Sequence, residues 1–408
     1  MLNIFFSFYN LIFITVYCLT LPFAFFLVKS KILSHDFLEY YGFLPHHHQT
    51  RQSIWFHCAS VGEIKSITAL IKDIKREHSS LNVIITTMTE SGKKTAIKEI
   101  EGATVFLLPI ENALSIRKII KKNNVKLLFI IETELWPNLI NTASKCCKLY
   151  LINGRLSQKT YKKYKATSFL FRKLFNKFNG IYAKSMFDKN LIESISYSRV
   201  KYLGNIKFAS NNINLNKDII ETFYDKNCLL LASTHKGEES FFIKYVSRYI
   251  DKFDYIIIAP RHISRIMELQ NLLKNKNLDY SVFSKEKTFN KFIIIDVFGL
   301  MDTFYYISRK IFIGGSLVNI GGHNIYEALR LKKIVATGPH MNNFKDISEL
   351  ALNCRILYVI NNIDDFINYL DICDNNLEQF NPFFRKLDHM NKKSINHLME
   401  LIKNEISK

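Results

Sequence analysis

The sequence predicts an α/β protein of two domains, each a parallel sheet covered by helices on both faces, behind an amino-terminal transmembrane anchor. Three observations predict it. Residues 2–28 carry no charge and are dominated by Phe, Leu, Ile, Tyr and Val. Short apolar runs, often β-branched, then alternate with segments of helical period, as parallel strands joined by crossover helices do. The alternation stops at an Asn-rich stretch, residues 210–216, and begins again. At 408 residues with 48% hydrophobic side chains, the chain is also longer than one core usually organises.

The anchor, 1–30, exceeds the roughly 20 residues a hydrocarbon layer requires. Its basic residues, Lys29 and Lys31, follow the apolar run, whereas a cleaved signal carries them before it. They also assign the rest of the chain to the cytoplasmic side. Pro22 kinks the helix or marks its interfacial end, and an in-plane helix is the alternative to a spanning one. A polar linker, 31–52, holds His46, His47 and His48, which read as solvated chain.

In the first domain, 53–210, strands are expected at 54–59, 83–87, 104–108, 127–131 and 149–152, with helices such as 63–77 and 115–122 between them. In the second, 211–383, they are expected at 229–232, 255–259, 292–296, 310–313 and 334–337. The final segment, 384–408, is periodic enough for a closing helix. Sheets of this kind hold ligands beyond the carboxyl ends of their strands, and two such domains facing one another create a cleft. The polar motifs all follow strands.

The formal charge of +20 calls for an anionic partner, a phospholipid surface or a negatively charged small substrate. Lysine enrichment in an Asn- and Ile-rich sequence is an equally good source of that charge. No nucleic-acid-binding module is recognisable, so no nucleic-acid partner is expected. Seven cysteines, an odd number without CxxC spacing, read as small buried hydrophobes in a reducing compartment, and no metal site is assigned.

Ser60 and Glu63 have the S-x-x-E spacing of a helix capping box, worth about 1 kcal/mol. The alternative is a carboxylate able to take a proton from a hydroxyl. Glu132 and Glu134 stand where an apolar strand stops. Only one of them is expected to face the ligand: Pro137 suits Glu134 to the start of the next helix, leaving Glu132 for substrate chemistry. Lys207 is either a solvated surface cation or a partner for a departing phosphate. Pro260 and Arg261 follow a strand, and an arginine there suits bidentate contact with phosphate or carboxylate. Gly314-Gly315-Ser316, then Gly322-His323-Asn324-Ile325-Tyr326-Glu327, let a ligand approach the backbone, where amides opening a helix hold an anion. This pattern is neither the lysine-bearing phosphate loop nor the GxGxxG fingerprint, which removes support for ATPase and dehydrogenase readings.

Taken in order, SVGE, ETELWPN, NGRLS, GNIKF, STHKGEE, APRH, GGSLV, GGHN and GPHMNNF resemble the 3-deoxy-D-manno-octulosonic acid (Kdo) transferase family. The resemblance runs from the apolar amino-terminal segment to about Asp346, and it rests on the series rather than on any single motif. It implies a glycosyltransferase B-type fold, two Rossmann-like domains facing a cleft. The first domain would bind the acceptor, the second CMP-Kdo, and the closing helix would return toward the first. By position, Glu63 resembles the family's general base, which the resemblance favours over the capping reading, and Glu132 and Lys207 resemble residues supporting the transition state. Pro260 and Arg261, Gly299-Leu300-Met301, and Asn324, Ile325, Tyr326 and Glu327 match CMP-contacting segments. Gly-Leu-Met departs from the usual Gly-Glu-Leu, which leaves nucleotide affinity intact only where the contact is through the backbone.

The resemblance further implies the substrates and setting: CMP-Kdo as donor, a lipid A precursor as acceptor, no cofactor and no metal. The setting is the cytoplasmic side of the inner membrane, with its phospholipid as a partner. The basic, aromatic segment 161–178 reads either as a lipid-facing helix or as an ordinary helix with its aromatics in the core. Rival functions are a UDP-sugar transferase or epimerase on the same fold, and a non-catalytic membrane protein that binds lipid A.

Overall fold

In the computed structural model, the residues described are 2–44, 51–204, 213–373 and 377–407. The chain forms two compact units. The first comprises Met1–Ser210 with Asp388–Lys408, and the second Asn211–Leu387. His46, His47, His48 and Lys207 lie outside the described residues.

The first unit is built on seven strands, β1 (Ser53–Cys58), β2 (Asn82–Thr87), β3 (Thr104–Leu107), β4 (Val125–Ile131), β5 (Lys148–Gly154), β6 (Gly180–Ala183) and β7 (Val200–Tyr202). They form one parallel sheet in the order β3-β2-β1-β4-β5-β6-β7. Strand alternation sorts the apolar residues onto two faces. Trp55, Leu128 and Ile130 join one core with Ile116, Ile119, Leu139 and Ile140. Ile54, Phe56 and Phe129 join the other with Ile64, Ile67 and Ile71 of the helix Val61–Glu77. Leu398 and Ile402 also belong to that second core. They sit on the closing helix Phe380–Ile406, whose first residues belong to the second unit.

The second unit repeats the plan with β8 (Cys228–Thr234), β9 (Tyr255–Pro260), β10 (Tyr280–Val282), β11 (Phe292–Ile294), β12 (Lys310–Ile313), β13 (Val335–Thr337) and β14 (Leu357–Val359). The order is β10-β11-β9-β8-β12-β13-β14, again parallel. Each sheet therefore has seven strands where the sequence pattern marked five.

In each sheet the chain winds first to one side and then to the other. The order reverses between β1 and β4 in the first, and between β8 and β12 in the second. At such a reversal the loops leave on opposite faces and open a crevice at the carboxyl ends of the strands.

The amino-terminal helix, Leu2–Lys29, continues through Pro22. Its Phe6–Lys29 portion is long and apolar enough to cross a membrane. The basic segment 161–178 divides into the helices Gln158–Ala166 and Ser168–Phe175. Tyr164 and Phe171 stack at 3.7 Å against the core and Phe175 is fully buried, while Phe169 is 69% exposed. Most of its aromatics are thus structural.

Candidate active site

In the first unit, the site begins where β1 runs into the helix Val61–Glu77. Ser60 is the N-cap, extended at φ −134°, and its oxygen accepts from the Glu63 amide. The Ser60 hydroxyl donates to Glu63 Oε1 at 2.8 Å, and the Ala59 amide donates to Glu63 Oε2 at 2.7 Å. The capping box is present in a shifted form, with the carboxylate reaching the amide before the N-cap. Glu63 is 5% exposed. Burial pushes its pKa up to about 7, and the charge of Glu132 adds to the rise. The bonds from Ser60 and Ala59 oppose it, and Glu134 contributes a smaller push upward. One carboxyl therefore carries both features the sequence set against each other: capping bonds that fix its position, and a proton affinity near neutrality.

Across the reversal, β4 stops at Ile131 and Glu132 takes a left-handed backbone, φ +58°. Its amide still donates to the Ile152 carbonyl at 3.0 Å. The positive φ redirects the chain where the strand ends, and the charges of Glu132 and, to a lesser degree, Glu134 both raise the Glu63 pKa. Glu134 Oε2 accepts from the indole of Trp136, the N-cap residue of Pro137–Ala143, at 3.0 Å. Burial raises the Glu134 pKa, the Trp136 bond opposes this, and Glu132 adds to it.

Asn153 opens the NGRLS motif, to which the sequence assigned no individual role. It closes β5 beside β4 with φ +57°, is fully buried, and neither of its amide atoms has a hydrogen-bond partner among the described residues. A polar residue ending an apolar strand was the available signal.

In the second unit, Gly314, Gly315 and Ser316 follow β12 at the reversal. The Gly314 amide donates to the Ala232 carbonyl at 2.8 Å, while the amides of Gly315 and Ser316 hold an anion, the chain's own Glu238. Oε2 accepts from Gly315 at 2.8 Å and from the His235 amide at 2.9 Å, while Oε1 accepts from Ser316 and Leu317 at 3.0 Å each. Glu238 is fully buried, so this ring of amides organises the loop. Gly314 is required by crowding, since a Cβ there would lie 2.6 Å from Glu238 Oε2 and 2.7 Å from the Ser233 carbonyl.

Above the loop, His235 and His323 stack, Nε2 to Nε2, at 2.8 Å. His262 packs edge-on against His235 at 5.7 Å. Burial lowers the His235 pKa, with Glu238 opposing and His262 and Arg265 reinforcing the fall. Gly322, φ +75°, leads into His323.

Asn324 folds back on its own segment, its side-chain amide donating to Glu327 Oε1 at 3.0 Å while its Oδ1 accepts from Tyr326 N at 3.2 Å. Ile325 and Tyr326 have buried side chains. Burial raises the Glu327 pKa, against the Asn324 bond and the charges of Arg330 and Arg261. The β9 and β12 segments therefore meet electrostatically. Pro260 ends β9, and Arg261 beside it is exposed, its amide bonded to the Thr234 carbonyl at 3.0 Å. Gly299 has φ +86° and open space around its α-carbon, and Leu300 and Met301 start the helix Met301–Ile307. A cavity of about 650 Å³ lined by Tyr224, Lys226, Tyr306 and Lys333 lies at the amino ends of β8, β12 and β13, away from these loops.

The family model of 3-Deoxy-D-manno-octulosonic-acid transferase (kdotransferase) matches residues 35–210. A 3-deoxy-D-manno-octulosonic acid transferase of Rickettsia prowazekii is 33% identical over 327 residues, covering 78% of this chain and 71% of that protein. A bifunctional glycosyltransferase/methyltransferase of Fusobacterium nucleatum is 32% identical over 380 residues, 88% of this chain, and the chain spans 57% of that protein's length. Among solved structures, a glycosyltransferase from Rickettsia africae superposes with a TM-score of 0.61 at 16% identity, covering 88% of this chain and 99% of that one. This last likeness is one of fold.

Proposed function

The chain belongs to the Kdo transferase family of glycosyltransferases, and from that membership we propose that it moves Kdo from CMP-Kdo onto the lipid A precursor, lipid IVA. The transfer serves lipopolysaccharide core biosynthesis and inverts the anomeric centre, with Glu63 as general base.

The observation that carries this reading is the Glu63 carboxyl itself. It stands at the sheet's reversal point, held by two hydrogen bonds, with its pKa pushed up to about 7 by burial and by neighbouring carboxylates. A general base works best with a pKa near the operating pH. In the proposed step the acceptor hydroxyl oxygen bonds to the anomeric carbon as the bond to the CMP phosphate oxygen breaks. The hydroxyl proton passes to Glu63, and CMP leaves with the electron pair.

Positive character grows on the sugar and negative charge on the departing phosphate. In this reading Glu132 answers the first charge and Arg261 and Lys207 the second. CMP rests on Pro260 and Arg261, on the backbone of Gly299, Leu300 and Met301, and on the Asn324–Glu327 segment. Gly314, Gly315, Ser316, Gly322 and His323 shape the donor pocket. The apolar helix keeps the chain at the cytoplasmic face of the inner membrane, among its phospholipids. No metal enters the step, so activity is expected to survive excess chelator; loss restored by magnesium would count against this.

The test is incubation of the purified chain with CMP-Kdo and tetra-acylated lipid A precursor, followed by mass analysis. A mass increase of one or more Kdo residues supports the reading. No increase, together with tighter binding of UDP than of CMP, would favour a UDP-sugar enzyme.

A further inference from the structure

The helix Leu2–Lys29 is shielded along one narrow stripe. Phe6 is 6% exposed and Ala24 2%, and Asn10, Phe13, Tyr17 and Leu21 between them are half-buried. Steps of three and four residues put these side chains on one line of a helix. From Phe6 to Ala24 that line is about 27 Å long at 1.5 Å per residue, most of the helix.

The first unit itself covers the stripe. Phe6 enters the core that contains Ile116 and Leu139. The Asn138 side-chain amide donates to Asn10 Oδ1 at 2.6 Å. The Tyr17 hydroxyl donates to the Tyr40 carbonyl at 2.6 Å, with the Ile110 carbonyl also in reach. The Tyr41 hydroxyl donates to Thr20 Oγ1 at 3.0 Å.

The opposite faces are apolar and open, with Leu19 75% exposed, Phe8 64%, Phe23 and Phe26 62%, and Leu11 60%. A patch of that size is rare on a soluble surface. Cations bracket it: the Lys177 ammonium lies 5.9 Å from the Phe6 ring at one end, and Lys29 and Lys31 are exposed at the other.

A helix crossing the bilayer would draw the loops bonded to its midpoint into hydrocarbon. Those loops include Glu111, whose Oε2 accepts from the Asn138 amide at 2.6 Å and whose carbonyl accepts from the Asn138 side chain at 2.8 Å. Irregular polar backbone is not tolerated against lipid.

We infer that this helix is a surface-lying anchor. It docks on the first unit through Asn10, Tyr17 and Thr20 and lays its open face into one leaflet of a bilayer with anionic headgroups. This replaces the spanning arrangement that hydrophobic length alone predicts. Asn138 sits in the short helix that follows Glu132 and Glu134, so the docked seam also sets the height of those carboxylates over the leaflet. That last consequence rests on the transferase reading, while the topology does not.

The test uses inverted inner-membrane vesicles from cells producing the full chain with an amino-terminal epitope. A surface-lying helix keeps the epitope on the same side as the two units, so protease added outside removes it without detergent. Protection of the epitope until detergent is added would overturn the proposal. In a second arm, Leu11→Glu with Leu19→Glu alters only exposed positions. It is expected to lower flotation with phosphatidylglycerol-containing vesicles by roughly tenfold or more, with Tm unchanged. A wild-type chain that ignores such vesicles and sediments as a dimer would show a second copy covering that face, and would equally overturn it.

Discussion

The Glu238 carboxylate lies 2.8 Å from the amide nitrogen of Gly315, and with the amides of His235, Ser316 and Leu317 it closes a fully buried ring. Four donors facing one carboxylate leave no place for a donor on the side chain. Glu238→Gln sets an amide N–H against backbone N–H groups, at a cost of about 2–4 kcal/mol. A clear fall in Tm is expected, with loss of CMP binding by calorimetry. An unchanged Tm would show that the ring does not organise the loop.

The Glu63 pKa, pushed up to about 7, has causes of opposite sign that can be removed separately. A general base must be ionised, so kcat/KM is expected to fall with a one-proton slope as pH drops below about 7. Glu132→Gln removes a charge that raises the pKa, and the acid limb should move to lower pH. Ser60→Ala removes a bond that lowers it, and the limb should move to higher pH. Shifts in the same direction for both variants would contradict the assignment of that limb to Glu63.

Arg261 is exposed beside the Asn324–Glu327 segment and acts electrostatically on Glu327. A charge-assisted bond to a phosphate contributes about 1.5–3 kcal/mol. Arg261→Ala is therefore expected to weaken CMP binding roughly 10- to 100-fold, and Arg261→Lys to recover only part of it, because an ammonium lacks the guanidinium's paired donors. Calorimetric titration with CMP measures both.

Two glycines separate crowding from backbone conformation. At Gly314 a Cβ would meet Glu238, the Ser233 carbonyl and Thr234 Cα within 2.8 Å, so Gly314→Ala should cost about 1–3 kcal/mol. At Gly299 nothing lies within 4 Å and only the positive φ opposes a side chain, so Gly299→Ala should cost about 1 kcal/mol. Denaturant titration of the two variants gives the comparison, and equal losses would remove the crowding argument.

The sequence made the sheets legible wherever strands were long and continuously apolar. Val125–Ile131 is buried at all but one position, and its pattern can be read directly. Tyr280–Val282, Leu357–Val359 and Val200–Tyr202 have three residues each, too few to show a period, and depend on neighbours for their pairing. The motifs located the loops but not their internal bonding. Glu238 and Glu239 are adjacent and both buried, yet one binds a loop and the other pairs with Arg265 at 2.7 Å, a division that no spacing rule gives. The left-handed turn at Glu132 was likewise invisible, because positive φ in a glutamate has no signature in composition.

The most direct test of the central claim is single-turnover transfer from CMP-Kdo to lipid A precursor by Glu63→Gln, with CMP affinity and Tm measured on the same preparation. Transfer is expected to fall by roughly 100-fold or more, the scale of a lost general base, while nucleotide binding and folding stay near wild type. Transfer at the wild-type rate by a folded, CMP-binding Glu63→Gln chain would contradict it.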